Sequence, residues 1–259
     1  MSELTAATLA GRHIVVTRPA GQADSLCEAI EGRGGIAIRF PVLAIGAVED
    51  RAPLDEVTGR LDEFDLAFFV SPNAVSHALD AVLSRRPWPA SVKVATVGKG
   101  SERALAGFGF RDVIAPQEGF DSEAVLALDA FQTAAVSGRK VVIFRGDGGR
   151  DLLGETLRAR GAEVEYVTCY RRYCPEFDPS PLLRLAAAGQ LDAITLTSSE
   201  GVGNLVAMLG EGASVVLATV PVFAPHPRIV AHAAAAGFQR VIETPAGDEG
   251  LIAALESHF

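Results

Sequence analysis

Cysteine is scarce in this 259-residue chain. Three residues, an odd and small number, are too few for a disulfide framework and suit a reducing compartment. Long apolar runs are missing too. No stretch of about 18 or more uncharged apolar residues occurs, so no membrane span is expected. The N-terminal MSELTAATLAGR has no basic segment followed by an apolar one, so no secretory signal is expected and the location is predicted to be cytoplasmic. Positive charge is in deficit, with 23 Lys and Arg against 32 Asp and Glu. That disfavours nucleic acid or an anionic membrane as partner, since both require a basic surface. It does not disfavour a small anion, because backbone N–H groups and a few arginines can hold one inside an acidic protein.

The usual chemical signatures are absent as well. The five histidines (His13, His77, His226, His232 and His258) include no pair at metal-ligand spacing. Cys169 and Cys174 stand in CYRRYC with no second pair, which argues against zinc. There is no phosphate-binding Walker loop, no complete G-x-G-x-x-G in a first βα turn, and no G-x-S-x-G elbow. No Ser/His/Asp set is evident in the loops. Covalent, metal and nucleotide-cofactor mechanisms therefore lose weight, and no cofactor is expected.

What the chain has is a repeat. HIVVTRPAGQADSLCEAIEGRGG from His13 aligns without a gap to KVVIFRGDGGRDLLGETLRARGA from Lys140, at an offset of about 127 residues. Arg18 meets Arg145, Gly21 meets Gly148, and Asp24 meets Asp151. The same offset carries FDLAFFVSPNAV onto LDAITLTSSEGV, so Ser71 falls on Ser198. With a slip of one residue, VKVATVGKGSERALAGFGFRDVI matches VPVFAPHPRIVAHAAAAGFQRVI. A unit this long is a duplicated α/β module, and two such modules in one chain normally bind a ligand in the cleft between them.

Short β-branched runs alternate with helical patterns throughout. Strands are predicted at 14–16, 36–40, 66–70, 92–97 and 113–114, then at 141–144, 164–167, 193–196, 220–224 and 241–242. Helices are predicted at 24–33, 73–84, 101–107 and 122–131, then at 151–160, 201–209, 228–236 and 249–257. That alternation implies parallel sheets covered on both faces. Five strands per copy suits a flavodoxin-like order by analogy. Two stretches that could join modules, 41–54 and 169–181, sit at matching points inside each copy rather than at its boundary near 134–138.

Ligands of open parallel sheets meet the carboxyl ends of the strands. The loops there are 17–22, 71–74, 98–101, 145–150, 197–201 and 225–228. Arginine ends the first strand of both copies, as Arg18 and Arg145. Hydroxyls open the helix after the third strand, as Ser71 and as Thr197-Ser198-Ser199. Glycine or proline dominates the fourth loop. Taken singly, the serines could be helix N-caps, the glycines turn formers and the arginines ion-pair residues. Their recurrence at equivalent positions favours anion binding. Backbone donors, hydroxyls and a few arginines suit a polyanionic substrate whose own reactivity does most of the chemistry.

These residues resemble the uroporphyrinogen-III synthase family, over almost the whole chain. The likeness rests on VTRPAGQADSL, FVSPNAV, VATVGKGSERAL, GETLRARGAEVEYVTCYRR, LTSSEGVGNL and GFQRVIETPAGDEGLIAAL. The resemblance implies an α/β protein of two flavodoxin-like parallel-sheet domains joined by a two-stranded β linker. One domain would combine 1–39 with 175–259, the other would span 43–170, with linkers around 40–42 and 171–174. The implied enzyme is a lyase that cyclises linear hydroxymethylbilane to uroporphyrinogen III without a cofactor, inverting the last pyrrole ring through a spiro intermediate. It implies Tyr170 as the proton donor to the leaving hydroxyl. The substrate-binding set would be Arg18, Ser71, Asn73, Gly98, Lys99, Gly100, Arg145, Gly146, Thr197, Ser198, Ser199 and His226. The last stands in Pro225-His226-Pro227, where the family tends to have a glycine-containing loop. The partners implied are the polyanionic linear tetrapyrrole and a transient hand-over from hydroxymethylbilane synthase, with the chain a monomer. The alternatives are a two-lobed small-anion binding protein without catalysis and a sugar-nucleotide transferase.

Overall fold

The computed structural model describes residues 7–259. The chain runs β1 (His13–Val16), α1 (Asp24–Glu31), β2 (Ile36–Arg39), β3 (Ala44–Gly46), α2 (Ala52–Gly59), β4 (Leu66–Phe69), α3 (Pro72–Leu83), β5 (Lys93–Thr96), α4 (Lys99–Gly107), β6 (Val113–Ile114), α5 (Ser122–Ala127), α6 (Thr133–Val136) and β7 (Lys140–Gly146). It continues with α7 (Leu152–Ala159), β8 (Glu163–Tyr173), α8 (Ser180–Ala187), β9 (Ala193–Thr195), α9 (Ser199–Leu209), α10 (Ala213–Thr219), β10 (Val222–Ala224), α11 (Pro227–Ala235), β11 (Val241–Glu243) and α12 (Gly247–His258). Two compact units form: Met1–Ala44 with Tyr173–Phe259, and Ile45–Arg172.

The first unit carries a sheet in the order β11-β10-β9-β1-β2, the second a sheet in the order β3-β8-β7-β4-β5-β6. The five strands of the first sheet and the run β8-β7-β4-β5-β6 of the second are paired in parallel. Numbered along the repeat, both sheets read 2-1-3-4-5, the flavodoxin-like order, with β3 added at one edge of the second. Each unit is thus assembled from the first half of one sequence copy and the second half of the other. The central register shows the equivalence. Ile14 faces Ala193 in the first sheet, and their repeat partners Val141 and Leu66 face each other in the second.

Both faces of each sheet are buried, as period-2 alternation requires. In the first unit Ile14 and Val16 point into a core with Leu26, Ile30, Phe223, Leu251 and Leu255, under α1 and α12. Val15 points the other way, toward Leu182, Ile194, Leu205, Val216 and Ile229, under α8 to α11. In the second unit Phe69, Val142 and Phe144 face Val75 and Leu79 of α3. Phe68, Val141 and Ile143 face Val125, Phe131 and Leu157.

Several element expectations need correction. The strand expected at 164–167 continues to Tyr173, through a bulge at which the consecutive Cys169 and Tyr170 are both buried in the same core. The stretch 41–54 contains β3 and the start of α2, and 169–181 contains the end of β8 and the start of α8. The proline-rich CPEFDPSP hid that helix. The expected helix 122–131 ends at Ala127, where Leu128 turns extended and a short 3-10 turn follows. Strand β10 starts at Val222 rather than Val220, since Val220 closes α10. The segment Ser199–Thr219 has the length and mean hydropathy (1.5) of a membrane-crossing helix. It is broken at Gly210 into α9 and α10, and its Val202, Leu205, Leu209 and Val216 pack into the core.

Candidate active site

In the second unit the carboxyl end of the sheet gathers Ser71, Tyr170 and Gly146. Ser71 follows β4 and caps α3, its Oγ accepting from Ala74 N at 3.1 Å. Pro72 takes the first helical position, where no N–H is needed. The same Ser71 Oγ lies 3.1 Å from Tyr170 Oη. Tyr170 reaches that point through an irregularity in the β7–β8 ladder. Between Arg145 and Gly146 the register shifts, so that Gly146 faces Tyr170. Such a bulge re-aims a side chain out of the regular alternation. The Tyr170 ring lies against Gly146 so closely that a Cβ there would stand 2.5 Å from Cζ. The residue is 1% exposed, and Arg172 Nη2 lies 3.4 Å from its Oη.

His77 of α3 completes the surroundings of Tyr170, with ring centroids 5.8 Å apart and planes 26° apart. Burial pushes the imidazole below its ordinary pKa, against a smaller opposing pull from Asp80. The ring is therefore a neutral stacking partner at neutral pH. The signal for His77 was present in the sequence, since it falls on the apolar stripe of Ala74, Ala78 and Ala81. A lone histidine on such a stripe does not reveal what it stacks on.

Arg145 is placed at the end of β7 as expected, but it is engaged within the unit. Its guanidinium pairs with Asp151, donates to Gly148 O (3.2 Å) and Gly149 O (3.1 Å), and lies 4.8 Å from the Tyr166 ring centroid. It braces the glycine loop rather than presenting a free fork. That loop, with Arg150, Ser122, Phe68 and Tyr166, lines a cavity of about 150 Å³. Lys99 pairs with Glu102 at 2.8 Å. Gly98 caps α4 without a side chain, and the half-exposed Phe120 ring rests where a Cβ would stand, 3.1 Å from its own Cβ. The first two N–H groups of α4, on Lys99 and Gly100, have no acceptor among the described residues. They form an anion-accepting helix start. Asn73 lies in the first turn of α3 and already has a polar or electrostatic interaction within the protein. A larger cavity, about 250 Å³, opens at the opposite, amino end of this sheet, between Asp65, Lys93 and Val141. Parallel sheets do not place their chemistry there.

The first unit repeats the pattern. Arg18 follows β1 and pairs with Asp248 in the first turn of α12. Ser198 caps α9 by accepting from Gly201 N at 2.9 Å, between the half-buried Thr197 and Ser199. His226 caps α11, its Nδ1 accepting from Arg228 N at 3.1 Å. That bond requires the tautomer protonated at Nε2, which leaves one N–H donor at the strand end. Pro227 at the first helical position explains the absence of glycine: the loop is a helix start capped by a side chain. Both arginines flagged by the repeat are thus tied to carboxylates, a distribution the sequence pattern did not reveal. Among the described residues, no group of three or more His, Cys, Asp or Glu side chains is arranged to hold a metal ion.

A family model described as Uroporphyrinogen-III synthase HemD matches residues 24–253. The uroporphyrinogen-III synthase of Salmonella typhimurium is 36% identical over 167 residues, 64% of this chain and 67% of that protein. That of Escherichia coli is 30% identical over 197 residues, 76% and 79% of the two chains. In fold, the chain is similar to a mutant uroporphyrinogen III synthase from Thermus thermophilus (TM-score 0.60, 14% identity, 95% and 98% covered). It is also similar to uroporphyrinogen-III synthetase from Helicobacter pylori (TM-score 0.59, 12% identity, 96% and 100% covered). The fold likeness and the match across most of the sequence agree, and the chain belongs to the uroporphyrinogen-III synthase family.

Proposed function

We propose that this protein is a lyase that cyclises hydroxymethylbilane to uroporphyrinogen III. The observation that carries the reading is the family match over residues 24–253. In this reading Tyr170 Oη gives its proton to the leaving hydroxyl of the bilane, and water departs. The azafulvene cation that remains is attacked by the substituted carbon of the last pyrrole ring, giving a spiro intermediate. Rearrangement and loss of a proton then yield the inverted ring. The pyrrole nitrogen supplies the electron pair that expels the hydroxyl, so the chemistry requires no added cofactor. Ser71, 3.1 Å from Tyr170 Oη, fixes the direction of the phenol and links it to the start of α3.

The remaining task is holding a flexible substrate with eight carboxylates in one folded shape, which lowers the barrier by orientation. The donors for it are the helix starts at Lys99-Gly100 and Ser199, the His226 ring, and the hydroxyls of Thr197, Ser198 and Ser71. Arg18, Arg145 and Gly146 shape the loops around them, and Asn73 adds a side-chain amide. The domains are the two stretches 1–39 with 175–259 and 43–170, joined by a two-stranded linker around 40–42 and 171–174. The protein works as a monomer in the cytoplasm, taking the unstable bilane by brief transfer from hydroxymethylbilane synthase. Incubation with enzymatically generated hydroxymethylbilane, followed by separation of isomers, tests the activity. Type III product without added metal or nucleotide is expected, and type I alone at the spontaneous rate would refute it.

A further inference from the structure

The cations nearest the candidate site are mostly neutralised by the protein itself: Arg145 by Asp151, Arg150 by Glu123, and Lys99 by Glu102. Arg172 is not. It is exposed, and among the described residues it has no ion pair, although acidic residues outnumber basic ones by 32 to 23. The neighbouring carboxylate, Asp147, takes the Arg172 backbone N–H at 2.8 Å instead of its guanidinium. Asp147 N in turn donates to Tyr170 O at 3.1 Å, so the end of β8 is pinned to the loop that follows β7. Residues two apart on a strand share a face. Arg172 accordingly extends along Tyr170, with Cζ 5.9 Å from the ring centroid and Nη2 3.4 Å from Oη. One long contact to a phenol oxygen leaves most of a five-donor fork unused.

We propose that Arg172 binds a carboxylate of the substrate beside the Tyr170 hydroxyl, and so determines which part of the bilane that hydroxyl reaches. The inference rests on the reading of the chain as a bilane-cyclising enzyme. A guanidinium fork matches a carboxylate bidentately. Its backbone anchor at Asp147 fixes the distance from that carboxylate to the proton on Tyr170. The substrate's pyrroles all carry carboxylates, so a fork placed beside the proton donor selects the fold of the chain rather than its composition.

The test uses the full-length protein, with hydroxymethylbilane generated in the assay and isomers I and III resolved. Arg172→Gln is expected to lower kcat/KM for type III by about 10- to 100-fold, chiefly through KM. It is expected to raise the share of type I from bilane that escapes, and to flatten the fall of kcat/KM with added salt. Arg172→Lys should restore part of the rate, since it keeps the charge but not the fork. Thermal unfolding should be unchanged in both, as the side chain is exposed. Arg172→Gln with wild-type kcat/KM and isomer ratio overturns the proposal. So does a fall in kcat alone that Arg172→Lys does not relieve, which marks Arg172 as a support for Tyr170 and not a substrate ligand. If the wild-type protein itself makes no type III isomer, the underlying enzymatic reading fails, an outcome separate from either result.

Discussion

Gly146→Ala is expected to impair the enzyme about as much as removing the Tyr170 hydroxyl, although it changes no group capable of chemistry. The added Cβ would stand 2.5 Å from Tyr170 Cζ, 2.6 Å from Cε2 and 2.9 Å from Oη. Carbon atoms rest comfortably at roughly 3.5 Å, so the ring must retreat by about 1 Å. It has little freedom to do so, being 1% exposed and flanked by His77 and Ser71. Overpacking of this kind costs about 1–3 kcal/mol. The lower backbone entropy of alanine in the unfolded chain offsets about 0.4–1 kcal/mol of it. The net loss of stability is modest. The loss of rate is larger, because a displacement of about 1 Å at a reacting group can cost about 100-fold. Tyr170→Phe keeps the ring and should cost about 10- to 100-fold as the loss of a general acid. The combination decides the matter. A hydroxyl that is absent cannot be misplaced, so the double variant should be close to the worse single variant rather than the product of the two. Initial rates of type III formation, with thermal midpoints as control, give all four corners of the cycle. Wild-type rate in Gly146→Ala, or full multiplication of the two losses, would refute the role given to the Tyr170 hydroxyl.

Ser71→Ala and Ser198→Ala should each lower stability by about 0.5–2 kcal/mol as lost helix caps, and Ser71→Ala should slow the reaction more, by about three- to tenfold, because it also removes the partner of Tyr170 Oη. Rate and thermal midpoint measured on both variants separate the two effects. Burial holds the folded-state pKa of His77 below the ordinary 6.5, so its contribution to stability is present above that pH and is lost as pH falls through the lower folded value. His77→Phe should therefore show a smaller fall in thermal midpoint from pH 7 downward than the wild type, and equal falls would exclude His77 as the cause. Only Cys174 is exposed among the three cysteines, and burial pushes the Cys169 thiol up to about 12. One thiol should react quickly with an aromatic disulfide reagent in the native protein and three after denaturation, and Cys174→Ser should abolish the fast phase.

The distributed character of the binding groups has a consequence for mutagenesis. The side chains of Ser198 and His226 are occupied in capping, and the unoccupied donors at Lys99 and Gly100 belong to the backbone. Substitution cannot delete a backbone N–H except by proline. Single side-chain changes away from Tyr170 and Arg172 are therefore expected to give partial losses of rate, as divided recognition of a polyanion requires.

The sequence by itself determined the α/β class, the duplication and the places where loops meet the carboxyl ends of strands. Those features are written in local patterns: β-branched runs buried on both faces, helical periodicity, and residues recurring about 127 positions apart. It also marked Ser71 and Ser198 as residues at helix starts, whereas Tyr170 was singled out only through the family resemblance. The repeat leaves ambiguous which half of each copy joins which unit; the family resemblance implied a discontinuous arrangement, and the tertiary structure gives the pairing, β1 with β9 and β7 with β4 across long separations. Tertiary structure alone decided that Arg18 and Arg145 are held by Asp248 and Asp151, because ion pairing depends on distance in space and not on spacing along the chain. It decided the setting of Tyr170 as well, where a one-residue shift in the β7–β8 ladder turns the ring over Gly146 and brings Ser71, His77 and Arg172 around it. A shift of that kind comes from the fit of two neighbouring strands, and no single stretch of sequence contains it.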